Sequence, residues 1–596
     1  MTSSILATRA TAAALRAGMT LAAFMVLPMT QAYAQAIERN LPPQPAPSDR
    51  AALTVDQADY GKGDDTPLGV DVTGVRLIGA DEGSEGKAPD GISLGRVVAV
   101  ENGALQAALS PYLGKPLTRG AIARMQATVS GLWRDAGHPF MSVTVPPQEV
   151  TSGVLRLRVV EFHAGTIKTQ NAGTGAIERN LAPQVRFEAG KDIDASALEE
   201  DLDWLNRNPF RHVEGVFAPG ADTGASDMTL TVTNSKPYSL FASYADTGSL
   251  ATGRDRWSTG FGLWLPELND MTLAYRFTGS DQAFALDGDG PLRLQSGKPG
   301  YLSHAASITL PTFSRQTLSI APNYVETEQT IAGTPFSFRN RTFELPILYR
   351  SAISNILPGR YWGDVYFGVE PKWVRRATAF DGIEVATGRA GLFNLVLGWA
   401  DDVSDRYGRT AVDVRLKVNP GGIVSGNTAA DWTAFTGGRV TDNTYVTAGL
   451  DISRTTVLPA GFAWSSQLSG LIANQALPDT ERLGLGGFYA VRGYDNDDGA
   501  GDAGLVWRNE LRLPALSPLA KLGAPDTLSP FLFVDLGYGH DFAARANSTL
   551  ASAGLGLDYA IATNLSANFT TATALKDATL TRAGDWTFYA TIRVAY

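Results

Sequence analysis

The chain closes on Trp586-Thr587-Phe588-Tyr589-Ala590-Thr591-Ile592-Arg593-Val594-Ala595-Tyr596. Trp586, Phe588, Ala590, Ile592, Val594 and Tyr596 are apolar, and Thr587, Tyr589, Thr591 and Arg593 between them are polar or amphipathic. A strand turns successive side chains to opposite faces, so this segment has one greasy face and one wet face and ends on an aromatic ring. After a long stretch of similar pattern, and behind an export signal, it reads as the closing strand of an outer-membrane β-barrel.

The same pattern runs back to about residue 236. Phe261, Leu263 and Leu265 alternate outward, Pro266-Glu267-Leu268-Asn269-Asp270 turns the chain, and Met271, Leu273, Tyr275 and Phe277 alternate back. Roughly 360 residues at about 20–24 per strand and loop give about 16 antiparallel strands. A soluble solenoid or propeller would need repeats with a motif of their own, and none is found. Composition agrees with a barrel. Charged residues are 18%, yet beyond the amino terminus no apolar run is long enough for a membrane-spanning helix. Lumen-facing residues dilute the lipid-facing ones.

The amino terminus has the plan of a signal peptide: Arg9 and Arg16, an apolar stretch from Met19 to Met29, and Ala32-Tyr33-Ala34 as cleavage site. Pro28 interrupts the apolar run, which argues against an anchor helix. Removing residues 1–34 takes away two arginines and no acids, so the net charge moves from −10 to −12. That balance argues against nucleic acid as a partner. The chain has no Cys, which excludes disulfides, thiolate metal sites and Cys nucleophiles.

Residues 35–69 read as a linker, with Leu41-Pro42-Pro43-Gln44-Pro45-Ala46-Pro47 at its start. Residues 70–162 read as a small α/β module in the order β-α-α-β-β. Val75 to Ile78 is a first strand, and Leu105, Ala108 and Leu109 have helical spacing up to Pro111. Thr118 can cap a second helix that carries Ile122, Met125, Val129 and Leu132, stopped by Gly137-His138-Pro139. Met141, Val143 and Val145, then Leu155, Leu157 and Val159, form the returning strands. Residues 163–235 repeat this in compressed form, with Ile167 in a first strand and Asp194 capping a helix of Leu198, Leu202 and Leu205. Val213 to Phe217 and Met228, Leu230, Val232 return. Residues 236–596 are the barrel.

Two barrel segments stand out: Glu481 to Tyr494, which contains Val491-Arg492-Gly493-Tyr494, and Phe531 to Gly539, which contains Phe533-Val534-Asp535-Leu536-Gly537. In the second, Leu532, Val534, Leu536 and Tyr538 suit lipid, so Phe533, Asp535, Gly537 and Gly539 face the lumen. Asp535 is then a carboxylate on an inner wall, with glycines beside it that clear space for a close approach. A loop arginine such as Arg492 is its natural partner, because guanidinium and carboxylate pair bidentately. A charge swap between the two would report a direct pair. The run Asp495-Asn496-Asp497-Asp498-Gly499-Ala500-Gly501-Asp502 lacks the register of a calcium loop and reads as solvated. The five histidines are scattered and indicate no metal site. No nucleotide loop and no nucleophile elbow is present.

With these motifs the sequence resembles the outer-membrane transporters of two-partner secretion, the TpsB (haemolysin secretion/activation) branch of the Omp85 superfamily. That family carries Val-Arg-Gly-Tyr/Phe on a long loop folded into the barrel and Phe-x-Asp-x-Gly on a nearby strand. Leu485-Gly486-Gly487, Arg508-Asn509-Glu510-Leu511-Arg512, Leu205-Asn206-Arg207-Asn208-Pro209-Phe210, Ala218-Pro219-Gly220 and Pro146-Pro147-Gln148-Glu149-Val150 fit it too, so the resemblance covers roughly residues 70–596. Residues 35–66 show no amphipathic helix of the kind that plugs the barrel in many members. The resemblance implies that the two modules are periplasmic POTRA domains, and that the chain is a transporter rather than an enzyme, without cofactor. Its partners would be a secreted TpsA-like, β-helical exoprotein as client, outer-membrane lipids, and the barrel-assembly machinery during biogenesis. Client capture by β-augmentation is expected near Leu155, Leu157 and Val159 or near Met228, Leu230 and Val232. The alternative within the superfamily is a barrel-assembly factor working at the seam of Trp586, Phe588 and Tyr596. A hydrolase would have to use His304 or His540, and a passive porin has no need of the α/β modules.

Overall fold

A computed structural model describes residues 63–596 apart from 85–88, 98–100, 137, 139, 177–179, 223, 285–292, 295–296, 331–334 and 359–360. The signal peptide and residues 35–62, where a plug would lie, fall outside the described residues. The chain divides into two compact units, the α/β region and the barrel.

In the α/β region, one four-stranded sheet has the order Gly91–Leu94, Gly74–Ile78, Val154–Glu161, Met141–Thr144. The helices Asn102–Leu109 and Arg119–Asp135 belong to it. The Thr118 hydroxyl caps the longer helix by accepting from the Ala121 N–H at 2.9 Å. The Leu105, Leu109, Met125, Val129 and Trp133 side chains pack on Val75, Leu77, Leu155 and Leu157 in one core. A second, three-stranded sheet has the order His163–Asn171, Ala225–Asn234, Arg211–Pro219. Its helix Ala195–Leu205 is capped by the Asp194 carboxylate, 3.0 Å from the Ala197 N–H.

One sequence expectation fails here. Leu155, Leu157, Val159, Met228, Leu230 and Val232 do not flank free edges. All six are core residues, at most 3% exposed. Val154–Glu161 is paired on both sides, and so is Ala225–Asn234. Apolar alternation marks a buried face, and the most regular alternation belongs to the central strands, whose backbone is already satisfied. The edges are the less regular strands: Gly91–Leu94 and Met141–Thr144 in one sheet, His163–Asn171 and Arg211–Pro219 in the other.

The barrel runs from Tyr238–Ser249 to Trp586–Ala595 and closes on itself. Its ring holds eighteen strand segments, but Gln316–Ile320 and Asn323–Thr330 both pair with Gly300–Pro311 as halves of one strand. Phe336–Glu344 and Ile347–Ala352 are likewise halves of one strand against Asp364–Phe380. Sixteen antiparallel strands result. The interruptions fall at Pro322 and Pro346, which have no N–H for the ladder. Pro322, Pro346 and Pro371 stand on three neighbouring strands, and their carbonyls accept from Ala306, Ala321 and Leu345 at 2.9–3.0 Å. The seam pairs Phe241–Ala245 with Thr591–Ala595, and Leu240 and Tyr596 exchange two backbone hydrogen bonds. On the closing strand Trp586, Phe588, Ile592, Val594 and Tyr596 are exposed to the membrane side, and Tyr589 is buried inward. No helix among the described residues is long and apolar enough to cross a membrane.

Candidate functional site

The strand Asp526–Asp541 alternates strictly. Leu532, Val534, Leu536 and Tyr538 are exposed outward, whereas Phe533 and Asp535 are buried inward. Beside it runs the strand Ala503–Arg512, whose Glu510 stands opposite Phe533. The loop 474–502 leads into that strand and folds back against these inward faces.

Arg492 sits where loop and wall meet. Its Nε donates to Asp535 Oδ2 at 2.7 Å and its Nη2 to Oδ1 at 2.9 Å, a side-on fork. Its own backbone N–H adds a third bond to Asp535 at 3.2 Å. The remaining Nη1 donates to Glu510 Oε1 at 2.7 Å. The guanidinium carbon lies 3.6 Å from the centre of the Phe533 ring, so the first residue of the wall motif packs beneath the ion pair. Arg492 and Asp535 are at most 2% exposed. Charges taken this far out of water persist only when fully paired, and here each oxygen of Asp535 has a donor. Burial by itself would lower the pKa of this loop guanidinium; the Asp535 and Glu510 carboxylates hold it above its ordinary value. A chain of charges continues from Glu510 to Arg512 and Asp558, and the Asn568 amide donates to Asp558 at its end, with distances of 2.7–2.8 Å.

The other motif residues explain themselves by contact. Val491 packs with Leu485, Tyr494, Val506 and Leu550. A Cβ on Gly537 would lie 2.8 Å from Val491 Cγ2, so the wall glycine makes the room Val491 occupies. Gly493 has φ +92°, a conformation that favours glycine, and its N–H donates to the Tyr589 hydroxyl at 3.0 Å. The Tyr494 hydroxyl donates to the Ala551 carbonyl at 2.8 Å and accepts from the Lys576 N–H at 3.2 Å.

Sequence reasoning missed several members. Glu510 carries no motif signature, although the same alternation places it inward opposite Phe533. Asp498 and Asp502 were expected to be solvated, yet they are 3% and 0% exposed. Asp498 accepts from the Leu580 and Thr581 N–H groups at 2.6 and 3.1 Å and from Asp495 N–H at 2.8 Å. Asp502 accepts from the Leu477 and Phe542 N–H groups and from Arg439 at 2.8–3.0 Å. An acidic run looks solvated in sequence because most of its donors come from other segments of the chain. A second anchor was also invisible. Glu481 Oε1 lies 2.5 Å from Lys372 Nζ, which also meets Glu344 at 3.1 Å and the Thr480 carbonyl at 3.3 Å. Lys372 is 2% exposed. His304 and His540 lie on different hairpins and bond Tyr275 and Asn547, so they form no shared hydrolytic site.

Comparison with known proteins decides between transporter and assembly factor. The family described as haemolysin secretion/activation protein ShlB/FhaC/HecB matches residues 224–559, more than half of the chain. The chain belongs to this family. A ShlB-type POTRA domain matches residues 88–161. The outer membrane transporter CdiB-2 of Burkholderia pseudomallei is 22% identical over 75% of this chain and 73% of its own length. The heme/hemopexin transporter HuxB of Haemophilus influenzae is 19% identical over 78% and 80%. Among solved structures, CdiB from Escherichia coli superposes with a TM-score of 0.62 at 17% identity, over 92% of this chain and 94% of that one. This ShlB-type protein is therefore a two-partner secretion transporter of the outer membrane, not an enzyme, and its family transports secreted exoproteins.

Proposed function

We propose that the Arg492–Asp535 pair is the latch that holds the inner loop in its working position while a single unfolded exoprotein passes through the barrel. The observation that carries this reading is a buried loop guanidinium whose three nitrogens each donate to Asp535 or Glu510 on the barrel wall. The client is TpsA-like and becomes β-helical outside, so that its own folding supplies the drive. The two α/β modules, taken as POTRA domains over 70–162 and 163–235, receive it in the periplasm by strand addition. The edge strand Arg211–Pro219 suits that role, with Val216 half exposed on it. Outer-membrane lipids cover the outward face, and the closing strand with its terminal Tyr596 serves recognition by the barrel-assembly machinery during biogenesis.

The test is to compare proteins released by cells with and without this gene. Loss of one large secreted or surface protein, with other outer-membrane barrels unchanged, is the expected result and identifies the client. Broad loss of outer-membrane barrels would replace this reading with assembly.

A further inference from the structure

Three neighbouring strands on the extracellular half of the barrel end their lipid-facing runs at one level. On Asp364–Phe380 the outward residues are Val365, Phe367, Val369, Pro371 and Trp373, and the next outward residue is Arg375. On Ile383–Asp405 the outward series Leu397, Leu395 and Phe393 leads through Gly391 to Arg389. On Phe336–Glu344 the outward Phe343 is followed by Arg341. The register locks these together: Phe343 is opposite Trp373, Arg341 is opposite Arg375, and Arg375 is opposite Arg389. From Val365 to Arg375 the wall climbs about 25 Å, taking roughly 3.3 Å per residue and a tilt near 40°, which is about the height of a barrel's apolar band. The arginine row therefore lies at the outer border of the lipid, directly above the stacked Phe343 and Trp373 rings, whose centroids are 5.9 Å apart.

Like charges directly opposed on one sheet face destabilise it unless something of opposite charge lies between them. The neighbouring carboxylates neutralise only part of the row. Glu326 lies 3.1 Å from Arg341. Glu384, itself half exposed, is 3.7 Å from Arg375. Glu328 is taken at 2.8 Å by Arg339, one rung further out. Among the described residues the Nε of Arg375 has no hydrogen-bond partner, and Arg389 is exposed with no carboxylate within ion-pair distance.

We propose that Arg341, Arg375 and Arg389 bind the phosphate-bearing headgroup of an outer-leaflet lipid, with Trp373 and Phe343 packed against the top of its acyl chains. Guanidinium forks match phosphate oxygens bidentately, and three side by side span about 10 Å at sheet spacing, enough for a headgroup with more than one phosphate.

The test uses the purified full chain in detergent and native mass spectrometry. The probes are a bisphosphorylated, multiply acylated disaccharide lipid, the same lipid with its phosphates removed, and inorganic phosphate. The bisphosphorylated lipid should be retained, and Arg341→Gln/Arg375→Gln/Arg389→Gln should lower its occupancy about tenfold. Equal retention by wild type and triple variant overturns the proposal, as does equal binding of the phosphate-free lipid. Displacement of the lipid by inorganic phosphate at matched concentration would make the row a free-anion site and overturn the lipid assignment. If the triple variant does not give a heat-modifiable barrel, Arg389→Gln alone at the exposed end of the row replaces it, and unchanged retention by that variant is equally fatal.

Discussion

Arg492 and Glu481 stand on the same inner loop and hold different sectors of the wall by different means. Arg492 meets Ala503–Arg512 and Asp526–Asp541 through a planar fork, with its backbone and an aromatic ring added. Glu481 meets Asp364–Phe380 through the Lys372 ammonium, which it shares with Glu344, and approaches Lys417 at 3.9 Å. A guanidinium fork fixes direction; an ammonium is a point charge that accepts partners from many angles. The first anchor therefore sets the orientation of the loop, and the second sets only which side of the lumen its base occupies.

The largest effect should come from Arg492→Ala. It leaves Asp535 buried without its cation and Glu510 with Arg512 alone, a loss of about 3–5 kcal/mol for a broken buried pair. Export of the client should fall more than about tenfold while the barrel still inserts, as read from secreted protein and heat-modifiability. Wild-type export would break the distinction between the anchors. The structure also sharpens the charge-swap experiment. Arg492→Asp with Asp535→Arg would set a new carboxylate against Glu510, so restoration is expected only when Glu510→Gln is added.

Next comes Lys372→Met, which strips a cation from two buried carboxylates. Hydrogen exchange should accelerate for amides near 479–485 and stay slow for 490–494. Equal acceleration at both would mean that the two anchors act as one. Gly537→Ala should be milder, about 1–3 kcal/mol as overpacking, because only Val491 Cγ2 stands within 3.0 Å of the added methyl. Its export defect should be partial and relieved by Val491→Ala. The smallest effect is that of Tyr494→Phe, which removes the hydroxyl's neutral hydrogen bonds to Ala551 and Lys576 and should lower stability by about 1–2 kcal/mol in a chemical-denaturation series.

These two anchors also mark how far the sequence could be read. Alternation over Phe531–Gly539 fixes which residues face inward, so Asp535 and its need for a cation follow from period two alone. The closing strand is legible for the same reason. Lys372 alternates just as plainly, but its partner lies on a loop more than a hundred positions away, and no local pattern encodes that meeting. Asp498 was misread because its donors are backbone N–H groups of a different loop. The central strands of the α/β modules were mistaken for docking edges because apolar alternation reports burial, and burial says nothing of which strand has an unpaired side. The strand Gly91–Leu94 is short and lies between turn-rich segments, so no periodicity announces it.

The prolines at 322, 346 and 371 give the wall a mechanical grain. Each contributes a carbonyl and no N–H, so three adjacent strands each lack a rung along one line. A closed cylinder of uniform rungs resists ovalisation equally all round; this one has a softer generatrix. Sideways load from a moving polypeptide would be absorbed along that line as a change of cross-section.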